Sequence, residues 1–282
     1  MIIFKESTAL AKYLAKQKEK GLATGFVPTM GALHNGHTSL ISLSKKITDL
    51  TVCSIFVNPT QFNNPDDFKK YPITLAADIK ELEQAGCDVL FIPSVREMYA
   101  SGFEASSKYE LGEIEFLLEG AHRPGHFQGV CQVVEQLLGI VEPGTLFLGQ
   151  KDYQQTLVIQ RMIVLKRITL EVIVAPTVRL ASGVAMSSRN MRLSKAQLEE
   201  AASIYKMLTF IKEQISTIPL KQLEDHATKY LLNHDFDSVD YVSIVSAKTL
   251  EPIETFNKDQ KKVVLMAATI GGVRLIDNLL IE

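Results

Sequence analysis

Two histidines stand three residues apart in Pro28-Thr29-Met30-Gly31-Ala32-Leu33-His34-Asn35-Gly36-His37, where an apolar strand pattern gives way to a helical one. That arrangement suits a phosphate. A helix N-terminus offers unpaired N–H groups and partial positive charge, glycine lets an anion approach the backbone, and imidazoles donate to phosphate oxygens. The plainer alternative is that His34 and His37 cap or pack the helix. A second strand-to-helix passage carries Gly149, Gln150, Lys151 and Asp152, followed by Gln154 and Gln155. Lys151 can serve a phosphate while Asp152 orients it or approaches a nucleotide sugar; a surface ion pair is the alternative. A third stretch, Met186-Ser187-Ser188-Arg189-Asn190, gathers hydroxyls, amides and a guanidinium, all able to donate to phosphate.

Two further stretches carry polar chemistry. Phe56-Val57-Asn58-Pro59-Thr60-Gln61-Phe62-Asn63 sets amides, a proline and aromatics at a strand end, as a small-substrate pocket or an ordinary polar turn. Gly120 to Gly129, containing His122, Arg123 and His126, either positions an anion, orders a lid or is simply a structural loop.

The elements around these residues alternate. Strand-like runs at Ala23 to Pro28, Leu50 to Val57, Asp88 to Pro93, Thr145 to Leu148 and Leu170 to Val178 are separated by helical spacing at His37 to Lys46, Thr74 to Ala85, Gly129 to Val141 and Gln154 to Arg167. This is the pattern of an α/β domain with a parallel sheet, whose ligands gather at the carboxyl ends of the strands. The Ser-, Gly- and Ala-rich segment from Leu180 to Asn190 reads as a junction, with Ser194 as the N-cap of the next helix. Helical stretches at Lys195 to Gln214 and Leu220 to Asn233 and strands at Asp240 to Val245, Val263 to Ala268 and Val273 to Ile276 then suggest a smaller α+β unit. The expected domains are 1–177 and 178–282.

Of the 282 residues, 46% are hydrophobic and 22% charged, which supports a sizeable core and a soluble, globular protein. No apolar run approaches the roughly 20 residues of a membrane helix, and the start has no secretory order, so a cytoplasmic address is expected. A net charge of -2 argues against a broad nucleic-acid footprint and favours a small-molecule partner. Cys53, Cys87 and Cys131 lack metal or disulfide spacing and read as buried thiols. No metal site of the protein's own is expected.

Taken in order, PTMGALHNGH, FVNPTQF, HRPGHFQGV, LGQKDYQQ and MSSRN, with RLIDN near the end, resemble the pantothenate synthetase family. The ordered set is far more specific than His-x-Gly-His alone, which nucleotidylyltransferases and class I aminoacyl-tRNA synthetases share. The resemblance implies a Rossmann-like nucleotidylyltransferase domain, a smaller carboxyl-terminal lid, a homodimer, and ATP carried with Mg²⁺. It further implies that Met30, Gly31, Ala32, Leu33, His34, Asn35, Gly36 and His37 bind ATP, together with Gly149 to Asp152, Val178 and Met186 to Arg189. Gln61 and Gln155 would hold pantoate, and His37 occupies the family's proton-donor position. Thr60, where many members carry Met or Leu, and Met191-Arg192, where an aromatic often follows, are departures. The implied reaction adenylates pantoate and passes it to β-alanine, with His34, His37, Lys151 and Arg189 as electrophilic partners and no enzyme nucleophile. A nucleotidylyltransferase that keeps its nucleotide on the product, a tRNA synthetase and a silent ATP-binding regulator are the rival readings.

Overall fold

The structure, a computed structural model, describes residues 1–62, 68–69, 71–99, 102 and 108–281; Asn63 of the second motif lies outside them. The chain divides into two compact units.

The first unit holds residues 1–115, 123–149 and 155–176. Its sheet has six strands: β1 (Ile2–Phe4), β2 (Thr24–Thr29), β3 (Leu50–Ile55), β4 (Val89–Phe91), β5 (Thr145–Gly149) and β6 (Glu171–Ala175). They are all parallel, in the order β1-β4-β3-β2-β5-β6. Side chains alternate across a strand, and here both alternating sets are apolar. Phe26, Val52, Phe91 and Leu146 enter one core, which also holds Leu10 of helix α1 (Ser7–Glu19) and Val134 of a helix at His126–Val141. Their neighbours Val27, Cys53, Leu90 and Phe147 enter a second core with Ile41 of α2 (Asn35–Ile47) and Leu82 of α3 (Leu75–Gln84). Burial on both faces explains why these strands read as continuous apolar runs. Gly25 lets α2 come close, since a Cβ there would stand 2.4 Å from Ser44 Oγ.

Chain order sets the functional edge. From β2 the chain steps outward through β3 to β4, then returns to β5 on the other side of β2. The topological switch point therefore lies between β2 and β5, and open parallel sheets bind ligands outside the strand ends at such points. The Met30–His37 stretch leaves β2 there, and Gly149 closes β5.

The second unit holds residues 116–122, 150–154 and 177–282, so it is discontinuous in sequence, unlike the expected contiguous division at 177. Its sheet is antiparallel, β7 (Ser238–Ser246), β8 (Lys262–Ile270) and β9 (Val273–Ile281), and packs with helices at Ala202–Gln214 and Leu220–Leu232 around Leu208, Leu223, Val264 and Met266. The Lys195 to Gln214 stretch forms two helices rather than one, Lys195–Glu200 and Ala202–Gln214. Ser194 caps the first, its Oγ accepting from Gln197 N while Gln197 Oε1 accepts from Ser194 N. Strand β9 runs five residues beyond the Ile276 expected from the apolar pattern, through Asp277 and Asn278. Among the described residues no helix is long and apolar enough to cross a membrane.

Candidate active site

The two readings of the paired histidines, helix cap and phosphate donor, prove compatible. His34 is the N-cap of α2; its Nδ1 accepts from Gly36 N at 3.1 Å, and His37 Nδ1 accepts from His34 N at 3.3 Å, completing a capping box. A ring nitrogen that accepts carries no proton, so each neutral imidazole bears its proton on Nε2. The rings lie 4.0 Å apart between centroids. Capping thus selects the tautomer whose distal nitrogen donates.

The backbone amides here serve the fold. Ala32 N and Leu33 N donate to the buried carboxylate of Asp78 at 3.0 and 2.8 Å, and Thr74 Oγ1 adds a third bond at 3.0 Å. Gly31 (φ 82°) and Ala32 (φ 50°) make the tight turn this requires. Asp78 was not legible as a site residue, because in sequence it is an ordinary acid in the first turn of α3. Asn35 opens α2 and is exposed, while Met30 is half-buried.

Met30 is joined to the second motif through its thioether, which accepts from Gln61 Nε2 at 2.9 Å. Gln61 Oε1 accepts from Asn58 Nδ2, and Asn58 Oδ1 in turn takes Tyr99 Oη at 2.6 Å and Thr60 Oγ1 at 3.1 Å. The hydroxyl of Thr60 thus joins the network that holds Asn58. The HRPGH stretch buttresses the same turn. His126 Nδ1 donates to Gln61 O at 2.7 Å, Arg123 Nη2 reaches that carbonyl at 3.4 Å, and Gly129 lies so close that a Cβ would stand 2.4 Å from Thr60 O. Of the three alternatives for this stretch, the structural loop accounts for these contacts. Gln155 is half-buried in the helix Tyr153–Leu165, apart from the hydrogen-bond network that holds Gln61. Its neighbour Gln154 is buried and structural, accepting from Glu119 N and donating to Leu117 O.

In the second unit, Lys151, Ser187, Arg189, Arg274 and Asp277 line one cleft. Lys151 Nζ lies 3.3 Å from Asp152 Oδ1, and the lysine is the less exposed of the two, 17% against 48% for the side chains. Gln150 bonds Asn278. Val178 O accepts from Met186 N at 3.0 Å, and Ser187 Oγ accepts from Arg189 N at 3.2 Å, capping the turn Ser188–Arg192. Arg179 braces the loop, stacking 4.0 Å over the Tyr205 ring, donating to Gly183 O at 3.0 Å and forking onto Asp277. Burial raises the Asp277 carboxyl, against the pull of Arg179. Arg274 forks onto Glu119 and reaches Asp240 through Nε at 2.6 Å. Burial opposes its charge, but the two carboxylates hold it protonated more firmly than usual. The bracing roles of Arg179, Asp277 and Asn278 were missed; the RLIDN string was the one signal for Asp277 and Asn278, and Arg179 had none.

A cleft with lysine, arginine and serine donors fits an anionic ligand, and the imidazole Nε2–H groups offer donors of the same kind. The thiols offer no nucleophile: burial raises Cys53 well above its usual value and pushes Cys87 and Cys131 up to about 12.

Comparisons with known proteins agree on one family. A family model described as pantoate-beta-alanine ligase matches residues 2–280. The pantothenate synthetase of Cytophaga hutchinsonii is 47% identical, over 100% of this chain and 99% of its own, and that of Fervidobacterium nodosum 42%, over 96% of each. The crystal structure of the Thermus thermophilus pantothenate synthetase superposes with a TM-score of 0.90 at 37% identity, covering 99% of both chains. The pantoate-beta-alanine ligase of Francisella tularensis, solved with beta-gamma ATP and beta-alanine, gives 0.83 at 39% identity, covering 99% of this chain and 97% of its own. With motifs, fold and full-length relatives in agreement, the chain belongs to the pantoate–β-alanine ligase family of enzymes, the pantothenate synthetases.

Proposed function

We propose that this enzyme joins pantoate to β-alanine through a pantoyl adenylate, releasing AMP and pyrophosphate. The pantoate carboxylate attacks the α-phosphorus of ATP and pyrophosphate leaves; the free amine of β-alanine then attacks the activated carbonyl, loses a proton and expels AMP. The relative solved with an ATP analogue and β-alanine supports this choice of substrates. The observation that carries the reading is the capping of α2 by His34 and His37, whose Nδ1 atoms both accept backbone N–H groups and so leave Nε2 as the donor of each neutral ring.

Each residue then has a task. His37 donates from Nε2 to phosphate oxygens as charge moves towards pyrophosphate, with His34 beside it. Lys151 and Arg189 neutralise phosphate charge, and Met30 to His37, Gly149 to Asp152, Val178 and Met186 to Arg189 hold ATP. Gln61 and Gln155 hold pantoate. A thioether is a weak acceptor, so the Gln61 Nε2–H that now meets Met30 sulfur is readily redirected to a substrate oxygen. Mg²⁺ bound with the triphosphate would neutralise phosphate charge, a task that Lys151 and Arg189 would share. The proposed homodimer rests on the family resemblance, and the cytoplasmic setting is the expectation from the sequence.

The test is product identity. Sustained AMP release from ATP should require both pantoate and β-alanine, and Gln61→Ala should weaken pantoate use by on the order of 1–3 kcal/mol, the cost of a lost substrate hydrogen bond. A product that keeps its nucleotide would point to the nucleotidylyltransferase rival instead.

A further inference from the structure

We propose that Asn278 is a positioning residue for the ATP-dependent half-reaction, fixing the turn from which Lys151 presents its ammonium; this rests on the phosphate role given to Lys151 above. Asn278 is 1% exposed, on β9. Its two Nδ2 hydrogens go to Gln150 O at 3.0 Å and Lys151 O at 2.8 Å, and its Oδ1 accepts from Gln150 Nε2 at 3.2 Å. The carboxamide is thus spent on one turn, 127 residues away in sequence from Lys151.

That turn needs an outside brace. Gln150–Asp152 is a three-residue 3-10 turn, too short to satisfy its own carbonyls through a helical ladder. Holding the Gln150 and Lys151 carbonyls fixes the peptide planes on either side of the Lys151 Cα, and with them the direction in which its side chain leaves. The preceding residue of β9 has a parallel role. Asp277 receives the Arg179 guanidinium, which grips Gly183 O, and Asp277 and Lys151 line the same cleft. Asp277 Oδ1 also accepts from Asn278 N at 2.7 Å, so the two braces are linked. One strand thereby sets both cleft-lining segments, 150–152 and 177–189.

A purely structural asparagine would predict general loss of stability, so the test must read through Lys151. Pantoyl adenylate formation is measured in a single turnover at saturating Mg-ATP and pantoate, and aminolysis with supplied adenylate and β-alanine. The variants are Asn278→Ala, Lys151→Ala and the double change; Asn278→Leu, which is close in shape and volume and adds no charge while lacking the carboxamide's donors and acceptor, serves if the alanine variant melts early. A small misplacement of a catalytic group costs about 10²-fold. We expect Asn278→Ala to slow adenylation by about that factor, to leave aminolysis unchanged, and to add less than about threefold in the Lys151→Ala background, since residues acting through one another are not additive. Equal losses in both backgrounds, or equal losses in both half-reactions, would overturn the proposal while leaving the role of Lys151 standing. Wild-type adenylation by Lys151→Ala would remove that role itself, and this proposal with it.

Discussion

The loop that enters α2 and the loop at residues 177–190 are both assigned to phosphate, yet they are built in opposite ways. In the first, an anionic side chain organises the backbone: Asp78 takes the amides of Ala32 and Leu33, and recognition is left to two imidazoles whose protons the helix cap has placed. In the second, a cationic side chain organises the backbone: Arg179, held by Asp277, grips Gly183 O, and the donors are a lysine, an arginine and a serine. A bare helix N-terminus explains neither. On the proposed reading, anion recognition in this chain falls to side chains set by buried carboxylates and caps, with the amides largely committed to the fold.

If that contrast holds, the largest effect belongs to the donor of the first loop. His37→Ala should bind ATP tolerably yet form adenylate at least about 10²-fold more slowly, as expected for a donor aimed at charge that grows in the transition state. Single-turnover adenylation against aminolysis of supplied adenylate separates the steps, and a defect confined to aminolysis would break the assignment. His37→Gln should recover part of the rate if hydrogen bonding is what matters.

The next effect belongs to the scaffold of that loop. Asp78→Ala leaves two loop amides without their acceptor and should cost on the order of 2–3 kcal/mol in urea unfolding. Asp78→Asn, keeping an acceptor oxygen, should lose less. If Asp78→Ala melted like the parent and kept its ATP KM, the buried carboxylate would not be the organiser described. The smallest effect lies in the second loop: Ser187→Ala removes a half-exposed cap from a short 3-10 turn and should cost about 0.5–1 kcal/mol. Faster hydrogen exchange at Arg189, without a change at Ala32 or Leu33, would show the loops to be independently braced.

The parallel sheet was legible because β2, β3 and β5 bury both faces and write apolar runs. β1 and α1 were not read: a three-residue edge strand carries little periodicity, and α1 fully buries just Leu10 and Leu14, which leaves a sparse apolar stripe. The end of β9 was hidden for a more telling reason. Asp277 and Asn278 are poor strand formers that imitate a turn, and they interrupt the apolar pattern because their side chains brace the cleft. His34 and His37 were singled out by their spacing together with the His-x-Gly-His resemblance, but their tautomer depends on which nitrogen the cap engages, and that requires coordinates. Asp78 was invisible because the loop amides it holds, those of Ala32 and Leu33, are far away in sequence.

The discontinuous make-up of the second unit has a consequence for biogenesis. Glu119 and Lys151 leave the ribosome long before Arg274 and Asn278, their partners 155 and 127 residues further on. During synthesis the 150–152 turn exists without its brace, and closing such distant contacts is slow. A nascent chain that already holds the six-strand sheet therefore still lacks a positioned Lys151 until β9 has been made and has paired with β8. Catalytic competence should arrive late and in one step, with the last strand.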